Sequence, residues 1–382
     1  MKIPNFSNHV SKIKRARSIF INELVYKARR SGKDPVVLSL GEAYFDIPNY
    51  GFDDDLVFGG YHYSDSQGLP NLRTKIRNYL VDRHFAEGLD ADENILISMG
   101  SKALTYMSML LALNDGDEVI LHEPAWLSYE EQASLCGASS RYMPYQYTLD
   151  NIAQSISDKT KLIVINNPNN PAGWVYDFEE LKKLIAIAEK RGVFVLVDEA
   201  YSDFTRNQGF KSTASLVRKH SNLIVVNSIS KNFGMSGWRI GFAAASSQII
   251  EKMTTINQHI VTCAPTMLQL YIEENFDEIW TVCNQQIDAL LIKRKEVRKL
   301  LDQYGFKVLE GGATFYFFVE LWPTGKNASE LAEKLLTEDN VAVVPGEAYG
   351  RTTSHFVRLS FGTESLERID GALQKISARV NL

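Results

Sequence analysis

The sequence predicts an α/β fold: a mainly parallel sheet flanked by helices, followed by a smaller α+β unit. Short, continuously apolar runs recur through the middle of the chain. They are apolar on both faces, as strands buried inside a parallel sheet must be. Segments with apolar residues at helical spacing separate them, which gives βα units. Beyond about Cys283 the texture changes to a long charged stretch and then a run of aromatic residues.

In chain order, residues 94–98 read as a strand and 102–113 as an apolar helix. Strands follow at 118–121 and 162–165, then an amphipathic helix at 178–191 with Leu181, Leu184, Ile185 and Ala188 on one face. Residues 193–197 and 223–226 are further apolar strands. A charged helix at 285–303, a strand at 315–319, a helix at 329–336, a strand at 356–359 and a closing helix at 364–380 complete the reading. The expected organisation is an N-terminal segment, 1–45, packing with the small unit, a large ligand-binding domain at 46–282, and a small C-terminal domain at 283–382.

Composition narrows the function. With 382 residues, 45% of them hydrophobic, the chain can bury a large core. A net charge of -5 argues against a nucleic-acid partner, which would require a basic face. No apolar run approaches a membrane span, and the basic, polar start lacks the apolar centre of a secretion signal. Arg17 and Ser18 in that start read as a basic helix face, with a gate to the ligand pocket as the alternative. Cys136, Cys263 and Cys283 are the only cysteines, without metal-binding spacing, so reduced thiols and no metal are expected. Together these describe a cytoplasmic protein with no membrane partner.

The most informative stretch runs from Ser228 to Gly241, directly after the apolar strand at 223–226. A lysine beside a strand is ordinarily a solvated surface charge. Lys231 is hemmed in by apolar sequence and flanked by Ser228 and Arg239. Desolvation lowers a lysine's pKa and makes its amine a nucleophile toward carbonyls. Ser228 and Arg239 are suited to a phosphate, the arginine through its planar fork. A carbonyl and a phosphate on one ligand point to pyridoxal 5'-phosphate (PLP).

Other strand ends, where ligands gather in open α/β folds, carry matching groups. Gly100-Ser101-Lys102 lies between strand and helix, either a plain tight turn or an anion site built from backbone N–H groups. Trp126 follows another strand and is suited to packing or to stacking on a ring. The run from Asn166 to Gly173 is loop-forming composition, yet its length right after a core strand suggests Asn170 as a donor to a ligand oxygen. Asp198 ends the apolar strand at 193–197, where a carboxylate must be paired. It caps the next turn or faces a pyridinium nitrogen, with Tyr201 donating to the ring's phenolic oxygen.

In this order, NPNNPAG, DEAY and SISKNFGMSGWRIG make the sequence resemble the fold-type-I, PLP-dependent class I/II aminotransferases over nearly its whole length. The resemblance implies the PLP-transferase type I sheet. It makes Lys231 similar to the Schiff-base lysine that also shuttles a proton from the substrate's α-carbon, and Asp198 similar to the partner of the pyridine nitrogen. Asn170 and Tyr201 resemble the donors to the cofactor's phenolic oxygen. Ser101, Lys102, Ser228 and Arg239, with Ser230, resemble the phosphate cradle, and Trp126 the stacking aromatic. Tyr63 resembles a tyrosine that reaches the neighbouring subunit's phosphate, which implies a homodimer. Arg358 resembles the arginine gripping the substrate α-carboxylate, and Gly41 the backbone closing over it; Asn170 is placed at the substrate too.

The implied reaction is a ping-pong transfer of an amino group from an L-amino acid to a 2-oxo acid. A PLP-dependent β/γ-elimination, replacement or cyclisation enzyme on the same scaffold is the alternative. Two departures bear on substrate. The usual Gly-Glu-Pro-Asp-Phe reads Gly41-Glu42-Ala43-Tyr44-Phe45, which is expected to alter the mouth of the pocket. Lys102 stands where some dicarboxylate-using relatives contact the distal carboxylate.

Overall fold

Among the described residues, thirteen strands are arranged in three sheets. They are β1 (Val36–Val37), β2 (Ile95–Ser98), β3 (Glu118–His122), β4 (Ser139–Met143), β5 (Thr160–Asn166), β6 (Phe194–Asp198), β7 (Leu223–Ser228), β8 (Gly241–Ala245), β9 (Lys307–Val308), β10 (Tyr316–Glu320), β11 (Val341–Ala342), β12 (Val344–Pro345) and β13 (Phe356–Ser360). The computed structural model describes residues 5–15, 17–206, 208–322 and 327–380.

The main sheet has the order β2-β8-β7-β6-β5-β3-β4. Its strands run parallel except β8, which is antiparallel to both β2 and β7. Alternate residues of each strand face opposite cores, as the two-residue period requires. Ile163, Ile165, Val195, Val197 and Val225 enter one cluster, while Leu162, Val164, Leu196, Ile224 and Val226 enter the other. Both faces are therefore dry, which explains the unbroken apolar runs. The Phe178–Lys190 helix covers one face with Leu181, Leu184, Ile185 and Ala188. Asp177 caps it by accepting from the N–H groups of Glu179 and Glu180.

A second, antiparallel sheet has the order β12-β13-β10-β9, and β1 pairs with β11 in parallel. The small sheet and the Leu366–Val380 helix share a core that includes Phe315, Phe317, Leu359, Ile369, Leu373 and Ile376.

Element ends differ from the sequence expectation by a residue or two, except at the long helix. It runs Thr266–Gln303, not from residue 285, with non-helical backbone at Asn275. Cys283 lies inside it, fully buried in the main core, so the change of texture there is not a break in the chain. The closing helix begins at Leu366, just after Ser365, whose hydroxyl accepts from the Arg368 N–H at 3.3 Å, while Glu364 turns inward and accepts from the N–H of Val37 at 2.7 Å. Strands β4 and β8 of the main sheet were not expected, nor were the two-residue strands β1, β9, β11 and β12. β8 consists of Gly-Phe-Ala-Ala-Ala, whose small side chains give little strand signal.

Arg294, buried on the long helix, donates to the carbonyls of Gly311 (2.6 Å), Thr314 (3.4 Å) and Tyr316, and lies 4.1 Å from the Phe317 ring centroid. It forms no ion pair among the described residues; its partners are the backbone of one hairpin. Arg294→Met leaves these carbonyls bare, and a loss of about 3 kcal/mol is expected, since each stranded buried acceptor costs roughly 1–3 kcal/mol. Urea unfolding checks this: an unchanged midpoint would show that the hairpin holds without the guanidinium.

Candidate active site

The carboxyl ends of β2, β3, β5, β6 and β7 open onto one cavity. Because β8 is reversed, its first residue, Gly241, pairs with the last residues of β2 and β7, Ser98 and Ser228. Arg239, two residues earlier, therefore arrives at the same edge. The small sheet closes the opposite side. The cavity measures about 420 Å³, within the range of roughly 300–1,000 Å³ common for small-molecule sites. Gly41, Ser101, Lys102, Trp126, Asn170, Asp198, Tyr201, Ser228, Ser230, Lys231, Arg239 and Arg358 all line it. Tyr63 does not; it is 85% exposed on the surface.

One end is built for an anion. The Ser101–Ala112 helix starts from Gly100 with no side-chain cap, which leaves its first N–H groups open. Gly100 has φ +80°, and a Cβ there would lie 2.5 Å from an Arg239 nitrogen. A Cβ on Gly241 would lie 2.6 Å from the Ser101 nitrogen. Only glycine lets helix start, arginine and strand start meet so closely. Arg239 itself adopts φ 58° and donates to the Ser236 carbonyl at 2.6 Å and the Ser230 hydroxyl at 3.4 Å. No carboxylate pairs with it among the described residues.

The other end is an acceptor. Asp198 is buried, with Oδ2 accepting from the Tyr129 hydroxyl at 2.6 Å and Oδ1 from the Ala200 N–H at 3.1 Å. Burial raises its pKa above the ordinary carboxylate value, and these two hydrogen bonds oppose the rise. Oδ1 thus serves the turn-capping role weighed for Asp198, while Oδ2 is held by Tyr129 at the cavity wall.

Between the ends, Lys231 donates from Nζ to the Gly41 carbonyl at 2.6 Å. Burial pushes its pKa down to about 8; Glu42 opposes this, while Arg358, Arg239 and Lys102 add to it. Lys102 Nζ sits 4.9 Å from the Trp126 ring centroid, its pKa lowered by desolvation and by Arg239. Asn170 donates to the Tyr201 hydroxyl at 3.3 Å, which in turn shares a 2.9 Å hydrogen bond with Tyr316.

Arg358, in the middle of β13, is 4% exposed and donates to the Ser39 carbonyl at 2.7 Å and to Asn170 Oδ1 at 3.4 Å. Its Nε lacks an acceptor, and no carboxylate pairs with it among the described residues. A buried guanidinium in that condition needs an anion. Gly41 lies against it: a Cβ there would be 3.7 Å from either terminal nitrogen and 3.1 Å from the Tyr316 hydroxyl.

Sequence reasoning missed Tyr129, Tyr316, Ser39 and Asn166 in this lining. Tyr316 carried the one available signal, a hydroxyl within an otherwise apolar aromatic run. It also missed a polar knot behind the wall. Ser202 Oγ accepts from Asn227 at 3.0 Å and Asn232 at 2.9 Å, and Asn227 Oδ1 accepts from Asn232 at 3.1 Å. The three are chain neighbours of Tyr201, Ser228 and Lys231. Ala43 and Tyr44, expected at the mouth, do not line the cavity. Ala43 packs into the small core, and Tyr44 lines an adjacent cleft of about 330 Å³ that meets the cavity at Asn22. The side chains of Arg17 and Ser18 lie outside the described residues.

PLP fits these groups: open N–H groups and Arg239 for a phosphate, Asp198 for a ring nitrogen at the far end, and an amine of lowered pKa between them for the aldehyde. Comparison with known proteins agrees. The family model "Aminotransferase class I and II" matches residues 59–376. An aspartate aminotransferase of Pyrococcus abyssi is 32% identical over 358 residues, covering 90% of this chain and 92% of that protein. The structure of the Thermus thermophilus aspartate aminotransferase with maleate superposes with a TM-score of 0.87 at 26% identity, over 99% of this chain and all of that one. An aromatic aminotransferase of Pyrococcus horikoshii gives 0.81 at 28% identity, over 94% and 98%. The chain thus belongs to the class I and II aminotransferases, and is a PLP-dependent transaminase whose substrates are an amino acid and a 2-oxo acid.

Proposed function

We propose that this transaminase acts on dicarboxylic substrates, aspartate or glutamate and their 2-oxo acids, as a homodimer in the cytoplasm. The observation that carries the substrate class is Lys102. Its ammonium has no carboxylate partner among the described residues and stands at the cavity's edge beside Trp126. Arg358 then takes the α-carboxylate, with Gly41 and Asn170 beside it, and Lys102 takes the distal one. The relatives named aspartate aminotransferase support this reading. So does the maleate-bound Thermus structure, maleate being a dicarboxylate.

When bound, PLP supplies the aldehyde that receives the amino group and the ring that disperses charge from the substrate's α-carbon. This chain's residues do the rest. Lys231 Nζ would hold the aldehyde carbon and, once released from it, would carry the proton of the substrate's α-carbon. Asp198 would keep the ring nitrogen protonated, and Asn170 and Tyr201 would hold the phenolic oxygen. Ser101, Lys102 (through its backbone N–H), Ser228, Ser230 and Arg239 would hold the phosphate, with Trp126 against the ring.

Tyr63 completes the phosphate site of a partner subunit. Its exposure supports this, as does that of its neighbours Phe58, at 69%, and Tyr61, at 71%, since so much bare aromatic surface suits an interface. Three free cysteines suit a reducing compartment. Residues 46–282 and 283–382 act as the large and small domains, with the first 45 residues attached to the small one; pairing of β1 with β11 supports that attachment.

Amino donor alone should yield about one equivalent of 2-oxo acid per site and then stop until an acceptor is added; continuous ammonia release would instead mark an elimination enzyme. Lys102→Gln should raise KM for aspartate about tenfold and leave KM for alanine nearly unchanged. Equal effects on both donors would remove Lys102 from distal recognition. The folded pKa of Lys231 lies below the ordinary 10.5, so its neutral, nucleophilic form predominates above about pH 8. The rate at which apoenzyme takes up PLP covalently, trapped with borohydride and read by mass, should therefore climb and level off near pH 8. A rate still climbing toward 10.5 would mean an exposed, ordinary lysine.

A further inference from the structure

Glu123 is fully buried directly after β3, three residues before Trp126, and no lysine, arginine or histidine pairs with it among the described residues. Its donors come from a single distant loop, more than 200 positions along the chain. The Thr352 N–H donates to Oε2 at 3.1 Å, and the Arg351 N–H and the Thr352 hydroxyl complete the set. A Cβ on Gly350 would lie 2.5 Å from the Glu123 carboxyl carbon, so the loop is seated on it without slack. Beside this, the Ala125 N–H donates to the Tyr349 carbonyl at 2.7 Å. Residues 123–125 of the wall that carries Trp126 are thereby stitched to residues 349–352.

That loop connects β12 to β13, the strand that carries Arg358. The Tyr349 side chain is fully buried, its ring centroid 5.6 Å from the Arg358 guanidinium carbon. A bare carboxylate in a dry site is costly unless its hydrogen bonds are met, and here backbone donors of this loop meet them. Glutamine has the same shape, but its amide would turn N–H groups toward N–H groups.

We propose that Glu123 is a positioning residue for substrate recognition. By clamping residues 350–352 it presses Tyr349 against Arg358 and fixes that guanidinium relative to the Trp126 wall. The proposal rests on the reading of Arg358 as the α-carboxylate anchor. The anion end, built from Gly100, Ser101 and Arg239, makes no contact with this loop through Glu123, so cofactor attachment and substrate binding should separate.

The test uses holoenzyme carrying Glu123→Gln, Thr352→Val or Arg358→Gln, with kcat and KM for the amino donor, inhibition by maleate, and borohydride-trapped PLP on Lys231. Glu123→Gln should raise the donor KM and the maleate inhibition constant about tenfold or more, with kcat changed less than about threefold and trapped PLP unchanged. Thr352→Val, which keeps every backbone donor, should move the same two constants by a smaller factor. It decides the matter if Glu123→Gln does not fold. An unmoved KM where Arg358→Gln raises it refutes the role of Glu123. Parallel loss of trapped PLP, kcat and thermal stability also refutes it, as that would mark general structural damage. If Arg358→Gln leaves KM unmoved as well, the anchor reading fails and this proposal falls with it.

Discussion

Burying Lys231 among Arg358, Arg239 and Lys102 is the constraint to which the rest of the structure responds. An ammonium in that setting is opposed by desolvation and by three like charges, with only Glu42 favouring it. The amine therefore sheds its proton readily and becomes reactive, yet the three other cations remain. None of the three has a carboxylate partner among the described residues. What stabilises them is partial: carbonyls of Ser236 and Ser39, the Ser230 hydroxyl, and the faces of Trp126, Tyr316 and Tyr349. The cavity is left short of negative charge at spaced points, which suits it to anionic ligand groups.

Holding such a site open falls to groups that never touch ligand. Tyr201, Ser228 and Lys231 face the cavity while Ser202, Asn227 and Asn232, one residue on or one residue back, turn away and bond to one another. The turn after β6, the end of β7 and the short segment that follows it are thus tied at one point. Asp203, next to Ser202, extends the tie by accepting from Tyr79 at 3.0 Å and Trp280 at 3.3 Å and by lying 2.9 Å from His84. Satisfied buried hydrogen bonds rigidify the segments they join, so this network favours one arrangement of those loops.

The legible part of the sequence was local. Apolar runs gave β3, β5, β6 and β7 because strands buried on both faces need no partner to be recognised. The residues just after them could then be read as one edge. Arg239 was legible as chemistry but not as geometry: that it reaches this edge depends on the reversal of β8, whose alanines barely register as a strand. Tyr129, Ser39 and Glu123 were illegible for another reason. Each acts through a partner far along the chain, and nothing within a few residues of Glu123 hints at a loop near position 350. The Ala43-Tyr44 departure misled because proximity to Gly41 in sequence was taken for proximity to the substrate. In the fold the chain turns there, sending Ala43 into the small core and Tyr44 to the neighbouring cleft.

Asp198 shows why position along a strand matters more than residue type. At the tip of β6 it is buried enough for its pKa to rise, and a neutral carboxyl would be of no use to a ring nitrogen that must keep its proton. Tyr129 and the Ala200 N–H supply hydrogen bonds to its charged form and restrain the rise. A cationic ring nitrogen held nearby would add the missing attraction, and each charge would then stabilise the other. The adjacent Glu199 meets the same burial differently: Ser212 and Thr213 satisfy both its oxygens, leaving nothing for a ligand. Two neighbouring buried carboxylates are thus divided: Asp198 lines the cavity, and Glu199, bonded to Ser212 and Thr213, braces the fold.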